Sequence, residues 1–262
     1  MTKPAIYLEK DGSIGWLVLN QPAKRNALSK AMWDAIPSLL ADALADGAIR
    51  SMVIRGVDAA AFAAGADISE FESTHADPAK SKAYNRAVHA ASRRLMRFEK
   101  PVIAMIQGPC VGGGCDIALA CDMRLADASA KFAIPPAKLG LVYNLQDTKL
   151  LVDAVGPSKA KDILFTGRLV RAEEALQMGL IDRLIEASAL ETEVRALCAT
   201  IAEGSQFTHR ASKQIVRQIL DGAAEDTDET LAMFDSAFRG EDYREGTRAF
   251  MEKRKPKFTW NG

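Results

Sequence analysis

No apolar run in this chain approaches the roughly 20 residues that a bilayer-spanning helix needs. Its first residues, Met1-Thr2-Lys3-Pro4, lack the apolar stretch of a secretory signal. Cysteine is scarce, and Cys110, Cys115, Cys121 and Cys198 form neither a Cys-x-x-Cys pair nor a disulfide-type framework. Only His75, His89 and His209 could join them, so no metal or redox role is expected. Three of the cysteines fall in an apolar stretch, where Cys behaves as a small hydrophobe. A reduced, cytoplasmic setting is the expectation. An excess of charge of one sign is also missing: Lys+Arg and Asp+Glu number 34 each, so no global field favours nucleic acid or an anionic membrane. What remains is a 262-residue chain with 48% apolar and 26% charged residues, enough for one large domain or a core with a small appended one.

Ile6–Glu9 and Ile14–Asn20 are β-type runs on either side of Lys10-Asp11-Gly12-Ser13, which predicts a hairpin. Ala27–Asp46 places Met32, Ile36, Leu39, Leu40 and Leu44 at helical spacing, with Ser29 as N-cap and Gly47 as stop. Ser51–Arg55 reads as a strand, Val57–Ala66 as a loop, Pro78–Phe98 as a helix and Val102–Ile106 as a strand. Gly112–Gly114 then opens a short helix through Ala120, followed by extended pieces at Met123–Leu125 and Lys131–Ile134. This alternation argues for repeated ββα units rather than a meander. Beyond Gly140 the texture turns helical: Leu145–Val155, Ser158–Phe165, Ala172–Gly179, Leu190–Glu203, Thr208–Leu220, Thr227–Phe238 and Tyr243–Lys253. Such a region buries one face either against a partner subunit or on its own core.

Two glycine loops carry the chemistry. In Ala61-Phe62-Ala63-Ala64-Gly65-Ala66-Asp67-Ile68 small residues allow close backbone approach, or simply a tight loop entering a helix capped by Asp67. In Gly108-Pro109-Cys110-Val111-Gly112-Gly113-Gly114-Cys115-Asp116 the glycines lie between a strand and a helix, where free N–H groups meet a positive helix end. The run is neither Gly-x-Gly-x-x-Gly nor a P-loop. Together the loops suggest two converging N–H donors, the geometry required where a carbonyl oxygen gains negative charge.

Ordered words along the whole chain resemble the crotonase (enoyl-CoA hydratase/isomerase) superfamily. They are Asn20–Leu28, Phe62–Ile68, Lys100–Ala104, Gly112–Asp116, Ala120–Arg124, Lys138-Leu139-Gly140, Phe165-Thr166-Gly167 and Tyr243–Pro256. The resemblance implies an α/β fold, a crotonase-like spiral of ββα repeats, with a core over residues 1–200 and a helical trimerisation region over 201–262. It also implies a coenzyme A thioester in a curved cleft, with coenzyme A arriving as part of the substrate and no separate cofactor. By position the oxyanion donors would be the amides of Ala66 and Gly113. Lys24, Arg25 and Ala27 would lie by the nucleotide, and Ala64, Asp67 and Ile68 along the adenine and pantetheine path. Phe250 and Lys253 would close the cleft, from their own subunit or from another subunit of a trimer or dimer of trimers.

The pattern departs from the family at its carboxylates. Hydratases of the family place one glutamate directly after Gly-Gly-Gly-Cys and another about 20 residues on, so that both reach one small volume. Here the first position is Asp116 and the second is Pro136, which cannot titrate. Asp116 alone would suit a base that moves a double bond, or merely a helix cap; Asp147 and Glu70 are the nearest substitutes by sequence. The segment Leu141-Val142-Tyr143-Asn144-Leu145 is similar to methylmalonyl-CoA decarboxylases of the superfamily, in which a tyrosine contacts the substrate, although Ala66 stands where that group often has histidine. Loss of CO2 from a malonyl thioester makes an enolate without a base, so this wording tilts the expectation to decarboxylation. Hydration or isomerisation by Asp116 is the alternative. A non-catalytic thioester-binding or RNA-binding relative is the third reading, the latter through a stripe of Arg86, Arg93, Arg94 and Arg97 whose phosphate contacts would weaken with salt.

Overall fold

The structure is a computed structural model that describes residues 3–71 and 77–260; His75 lies outside them. The expected hairpin is present as β1 (Ile6–Asp11) and β2 (Ile14–Leu19), paired antiparallel. From β2 onward the sheet grows by parallel addition of β3 (Ser51–Gly56), β4 (Val102–Ile106), β6 (Met123–Ala126) and β9 (Arg183–Leu184), in the order β1-β2-β3-β4-β6-β9. A second, smaller sheet is built from β5 (Pro109–Val111), β7 (Lys131–Ala133) and β8 (Val170–Arg171). From β4 onward the chain alternates between the two sheets, β4 then β5 and β6 then β7, with a helix after each pair. This is the ββα spiral expected from the sequence.

Both faces of the large sheet are covered, which explains strands that are apolar without alternation. Leu17, Leu19, Met52, Ile54, Val102, Ala104 and Ile106 face the main core. That core is filled by α1 (Lys30–Ala45), α2 (Pro78–Met96), α3 (Gly113–Ala120) and the run α5 (Leu145–Thr166). The intervening positions Trp16, Val18, Val53, Ile103 and Met105 face α7 (Leu190–Glu203), meeting Leu190, Val194 and Cys198. Complete burial of a leucine such as Leu17 or Leu19 contributes roughly 2–3 kcal/mol.

Local signals account for most boundaries. Ser29 caps α1, its Oγ accepting from the Met32 amide at 3.3 Å, although the helix stops at Asp46 rather than Gly47. The α5 run is two helices meeting at Gly156, whose φ of 76° breaks the helix just before Pro157, so the two separate helices expected there are present. Helices α4 (Pro136–Leu139), α6 (Ala172–Met178), α8 (Gln206–Leu220), α9 (Asp228–Arg239) and α10 (Glu241–Met251) complete the chain. Among the described residues no helix is long and apolar enough to cross a membrane.

Of the two fates open to the C-terminal helices, α8 takes packing on its own core. Lys213 donates to the Lys100 carbonyl at 3.1 Å and pairs with Asp122 at 2.8 Å. A cavity of about 440 Å³, lined by Met96, Leu119, Leu150 and Val216 among others, separates α8 from the body. Helix α9, by contrast, leaves Leu231, Phe234 and Phe238 exposed.

Lys100 is the buried cation of this region. Its Nζ donates to the carbonyls of Ala43 at 2.7 Å and Asp46 at 2.8 Å, satisfying the C-terminal end of α1. Burial, and then Arg210, lower its pKa from the ordinary 10.5 to about 8. Between those values the unfolded chain binds more protons, so this group adds stability as pH rises from about 8. Lys100→Met should cost about 2 kcal/mol in urea unfolding near neutral pH, because two buried carbonyls lose their donor. The same variant should flatten the rise in stability above pH 8.

Candidate active site

Two isolated backbone bridges bring the glycine loops together: Leu28 pairs with Ala66, and Ala63 with Cys110, both parallel. The Leu28 amide donates to Gly65 O at 2.7 Å, and the Asp67 amide to Leu28 O at 3.0 Å. Ala63 donates to Pro109 O at 3.0 Å, and Val111 returns a bond to Ala63 O at 2.9 Å. In a parallel ladder the residue between two bonded neighbours turns its own N–H outward. The Ala66 amide is thereby freed, and Gly113, as the first residue of α3, has no acceptor one helical turn back. Among the described residues neither N–H meets a protein acceptor.

Glycine is required here by contact as much as by torsion. Gly65 has φ 102°, and a Cβ on it would approach Val111 O to 3.2 Å. A Cβ on Gly112 would lie 3.9 Å from Gly65 Cα, so the loops touch at these two residues. On Gly113 a Cβ would press the Trp33 ring at 2.9 Å and Leu28 at 3.2 Å. Any side chain on Gly114 would drive into Ala63 O at 2.5 Å.

Two aspartates occupy the first turns of α3 and α5. Asp116 lies in the first turn of α3, is 5% exposed, and has Oδ1 sealed without a hydrogen-bond partner. Burial, then the neighbouring charge of Asp147, push its carboxyl well above the ordinary range. Asp147, in the first turn of α5 and 3% exposed, is differently furnished. Ser92 Oγ donates to its Oδ1 at 3.2 Å and Asn144 Nδ2 donates to its Oδ2. Burial raises its pKa too, while those two donors work against the rise.

Tyr143 is half-buried, and its hydroxyl donates to Gly112 O at 3.4 Å, within the second glycine loop. Tyr84 is buried on α2 with Trp33 beside its hydroxyl, in the electrostatic reach of Asp116. Asn144 lies in the Leu141–Leu145 segment quoted from the sequence, whereas Trp33, Tyr84 and Ser92 were not singled out there.

The other expected contacts divide into two groups. Lys24, Arg25, Ala27, Ala64, Asp67 and Ile68 do come together: the Ala64 amide donates to Arg25 O at 3.0 Å, and Lys24 Nζ meets Asp67 Oδ2 at 2.6 Å. Asp67 also caps the short turn Ile68–Glu70, and Lys24 holds its carboxyl below the ordinary range. Ile68 is 75% exposed. Pro136 opens α4 and is half-buried. Phe250, 85% exposed, and Lys253 stand at the far end of α10, which packs on α9. On α2, Arg94 pairs with Glu99 at 2.9 Å and Arg97 with Asp221 at 3.7 Å, so the supposed basic stripe is partly neutralised.

The arrangement is that of an α/β spiral presenting two unpaired backbone donors beside buried carboxyls. The sequence model described as enoyl-CoA hydratase/isomerase matches residues 9–261. A probable enoyl-CoA hydratase of Mycobacterium bovis is 36% identical over 260 residues, covering 99% of both chains. A crotonyl-CoA hydratase of Syntrophomonas wolfei is 33% identical, covering 97% of each. Among solved structures, an enoyl-CoA hydratase/isomerase family protein from Hyphomonas neptunium superposes with a TM-score of 0.96, at 46% identity and 98% coverage of both chains. The chain belongs to the enoyl-CoA hydratase/isomerase family, within the crotonase superfamily.

Gly114→Ala should destabilise the protein by about 1–3 kcal/mol, as overpacking against a backbone carbonyl does. Gly140→Ala, where a Cβ meets nothing within 4 Å but φ is 67°, should cost only the left-handed penalty of about 1 kcal/mol. Thermal unfolding of the two variants side by side checks the ranking.

Proposed function

We propose that this family member binds an acyl-coenzyme A thioester and stabilises its enolate through the amides of Ala66 and Gly113, and that its reaction is decarboxylation of a malonyl-type thioester. The supporting observation is the state of the carboxyls. Asp116 is buried without a hydrogen-bond donor, and the position where a second catalytic glutamate is expected holds Pro136. Burial disfavours the ionised form that Asp116 would need as a base, and decarboxylation needs no such base. In that reaction the bond between the α-carbon and the carboxylate breaks, and its electron pair enters the thioester π system. The developing oxyanion is met by two fixed amides that need no reorganisation. Tyr143, whose hydroxyl donates to the Gly112 carbonyl, would orient the departing carboxylate. Coenzyme A enters with the substrate.

A second reading, hydration or isomerisation with Asp116 as the lone base, is favoured by relatives bearing hydratase names. Self-association fits either reading: Leu231, Phe234 and Phe238 on α9 offer an apolar face, and Phe250 and Lys253 would reach a cleft from a neighbouring copy.

Incubation with methylmalonyl-CoA should release CO2, and crotonyl-CoA should lose its conjugated absorbance slowly or not at all. The reverse order of activities overturns decarboxylation in favour of hydration. Tyr143→Phe should lower the decarboxylation kcat about tenfold or more; unchanged turnover removes Tyr143 from the reaction.

A further inference from the structure

Gly113 has no side chain, so the seat of its amide is set by whatever fills the space a Cβ would take. That space is occupied. A Cβ on Gly113 would stand 2.9 Å from Cζ2 and 3.6 Å from Cη2 of Trp33, and 3.2 Å from Cδ1 of Leu28. The far edge of the indole therefore presses on Gly113. Trp33 is 1% exposed, so the ring has no open space to retreat into. Leu28 stands four residues before the first turn of α1 has closed, and its backbone grips the residues on either side of Ala66. Its amide donates to Gly65 O at 2.7 Å, and its carbonyl accepts from the Asp67 amide at 3.0 Å. Ser29 joins the two, capping α1 and accepting the Trp33 amide on its carbonyl at 3.2 Å. One short stretch, Leu28–Trp33, thus holds the Ala66 loop by its backbone and bears on Gly113 by its side chains. Gly113 needs such a prop, because it is the first residue of α3 and helix ends fray.

We propose that Trp33 is a positioning residue: its indole edge seats Gly113 so that the Gly113 and Ala66 amides meet one thioester oxygen. This rests on the thioester reading above and names the side chain that sets its geometry. Trp33 acts only through Gly113. Two donors fixed in advance stabilise an oxyanion without reorganising, and that advantage is lost when one of them is free to drift. A shift of about 1 Å at such a group can cost on the order of 100-fold in rate.

A bump-and-hole pair tests the contact on the full-length protein. Phenylalanine lacks the Cζ2–Cη2 edge of indole, so Trp33→Phe opens a hole beside Gly113, and Gly113→Ala adds the methyl that would fill it. With methylmalonyl-CoA, Trp33→Phe should lower kcat about tenfold at little change in KM, and Gly113→Ala alone about 100-fold. The double variant should return to within about threefold of Trp33→Phe, because the two residues share one volume. A double variant that loses the product of the two single effects overturns the proposal. A residue that only supported the fold would show coupling in thermal stability and none in kcat, and that outcome overturns it as well.

A second measurement needs binding without turnover. Donors aimed at a carbonyl oxygen weaken the C=O bond, so bound propionyl-CoA, isotopically labelled at its carbonyl carbon, should show a lowered infrared stretch in the wild type. Trp33→Phe should lose about half of that shift or more, and the double variant should regain most of it. Gly113→Ala should also lose it, which keeps the test open even if Trp33→Phe does not fold. An undiminished shift in either single variant overturns the proposal. A wild type that binds propionyl-CoA with no shift counts instead against the oxyanion reading. Crystal structures of the wild type and Trp33→Phe then decide the contact by themselves: a Gly113 amide displaced relative to that of Ala66 upholds the role of Trp33, and an unmoved one ends it.

Discussion

The site depends on two backbone bridges that tie three loops into one object. Leu28 locks against Ala66, and Ala63 locks against Cys110, which heads the small sheet. Neither bridge belongs to a long strand, so each is held by what surrounds it: Phe62, Leu28 and Cys110 are fully buried beneath them. The small sheet continues this stack through β7 and β8. The two unpaired amides are consequently an output of the spiral itself. Successive turns of chain must pass over one another at this spacing, and the donors fall at the point of crossing. A backbone donor so placed cannot swing away, which is the property required of a group that must meet charge as it forms.

Electrostatics then follows from what the crossing excludes. Helix α3 begins at the glycines and plunges into the core, carrying Asp116 with it, while α5 brings Asp147 in from another direction. A carboxyl in such a place either finds donors or stays protonated. Asp147 has found Ser92 and Asn144, and Asp116 has found none. The Lys24–Asp67 pair outside the bridge shows the contrast, since a half-exposed lysine at 2.6 Å keeps that carboxyl ionised. Two aspartates of the site are thus shifted in opposite directions, Asp67 downward by its lysine and Asp116 upward by burial.

Much of the fold was legible because its signals are local. The hairpin turn, the Ser29 cap, the Gly156-Pro157 break and the glycines opening α3 each act within a few residues. Strands β5, β8 and β9 escaped, being two or three residues long and defined only by partners far along the chain. The site shows the same division. Ala66, Gly113 and Asp116 could be placed from the glycine words, and Tyr143 from its segment. Asp147 was visible only as a nearby acid, because its bond with Ser92, 55 residues upstream, is made by helix packing. Trp33 carried no signal in the sequence, and only the fold brings its ring against Gly113.

Pro136 shows how a lost titratable group can leave a fold intact. It occupies the first position of α4, where its missing N–H costs nothing and its fixed φ suits a helix start. Gly167 approaches the preceding residue so closely that a Cβ there would stand 3.0 Å from Pro135 Cα. The segment that would have carried the second carboxylate is therefore stiff and tightly backed. Chemistry that needs a second acid must draw it from elsewhere. What this substitution changes is the default charge of the site. A pair of solvent-reachable glutamates can trade protons with water in either direction. Asp116 has no such freedom, because one of its oxygens is sealed from water and from every donor among the described residues.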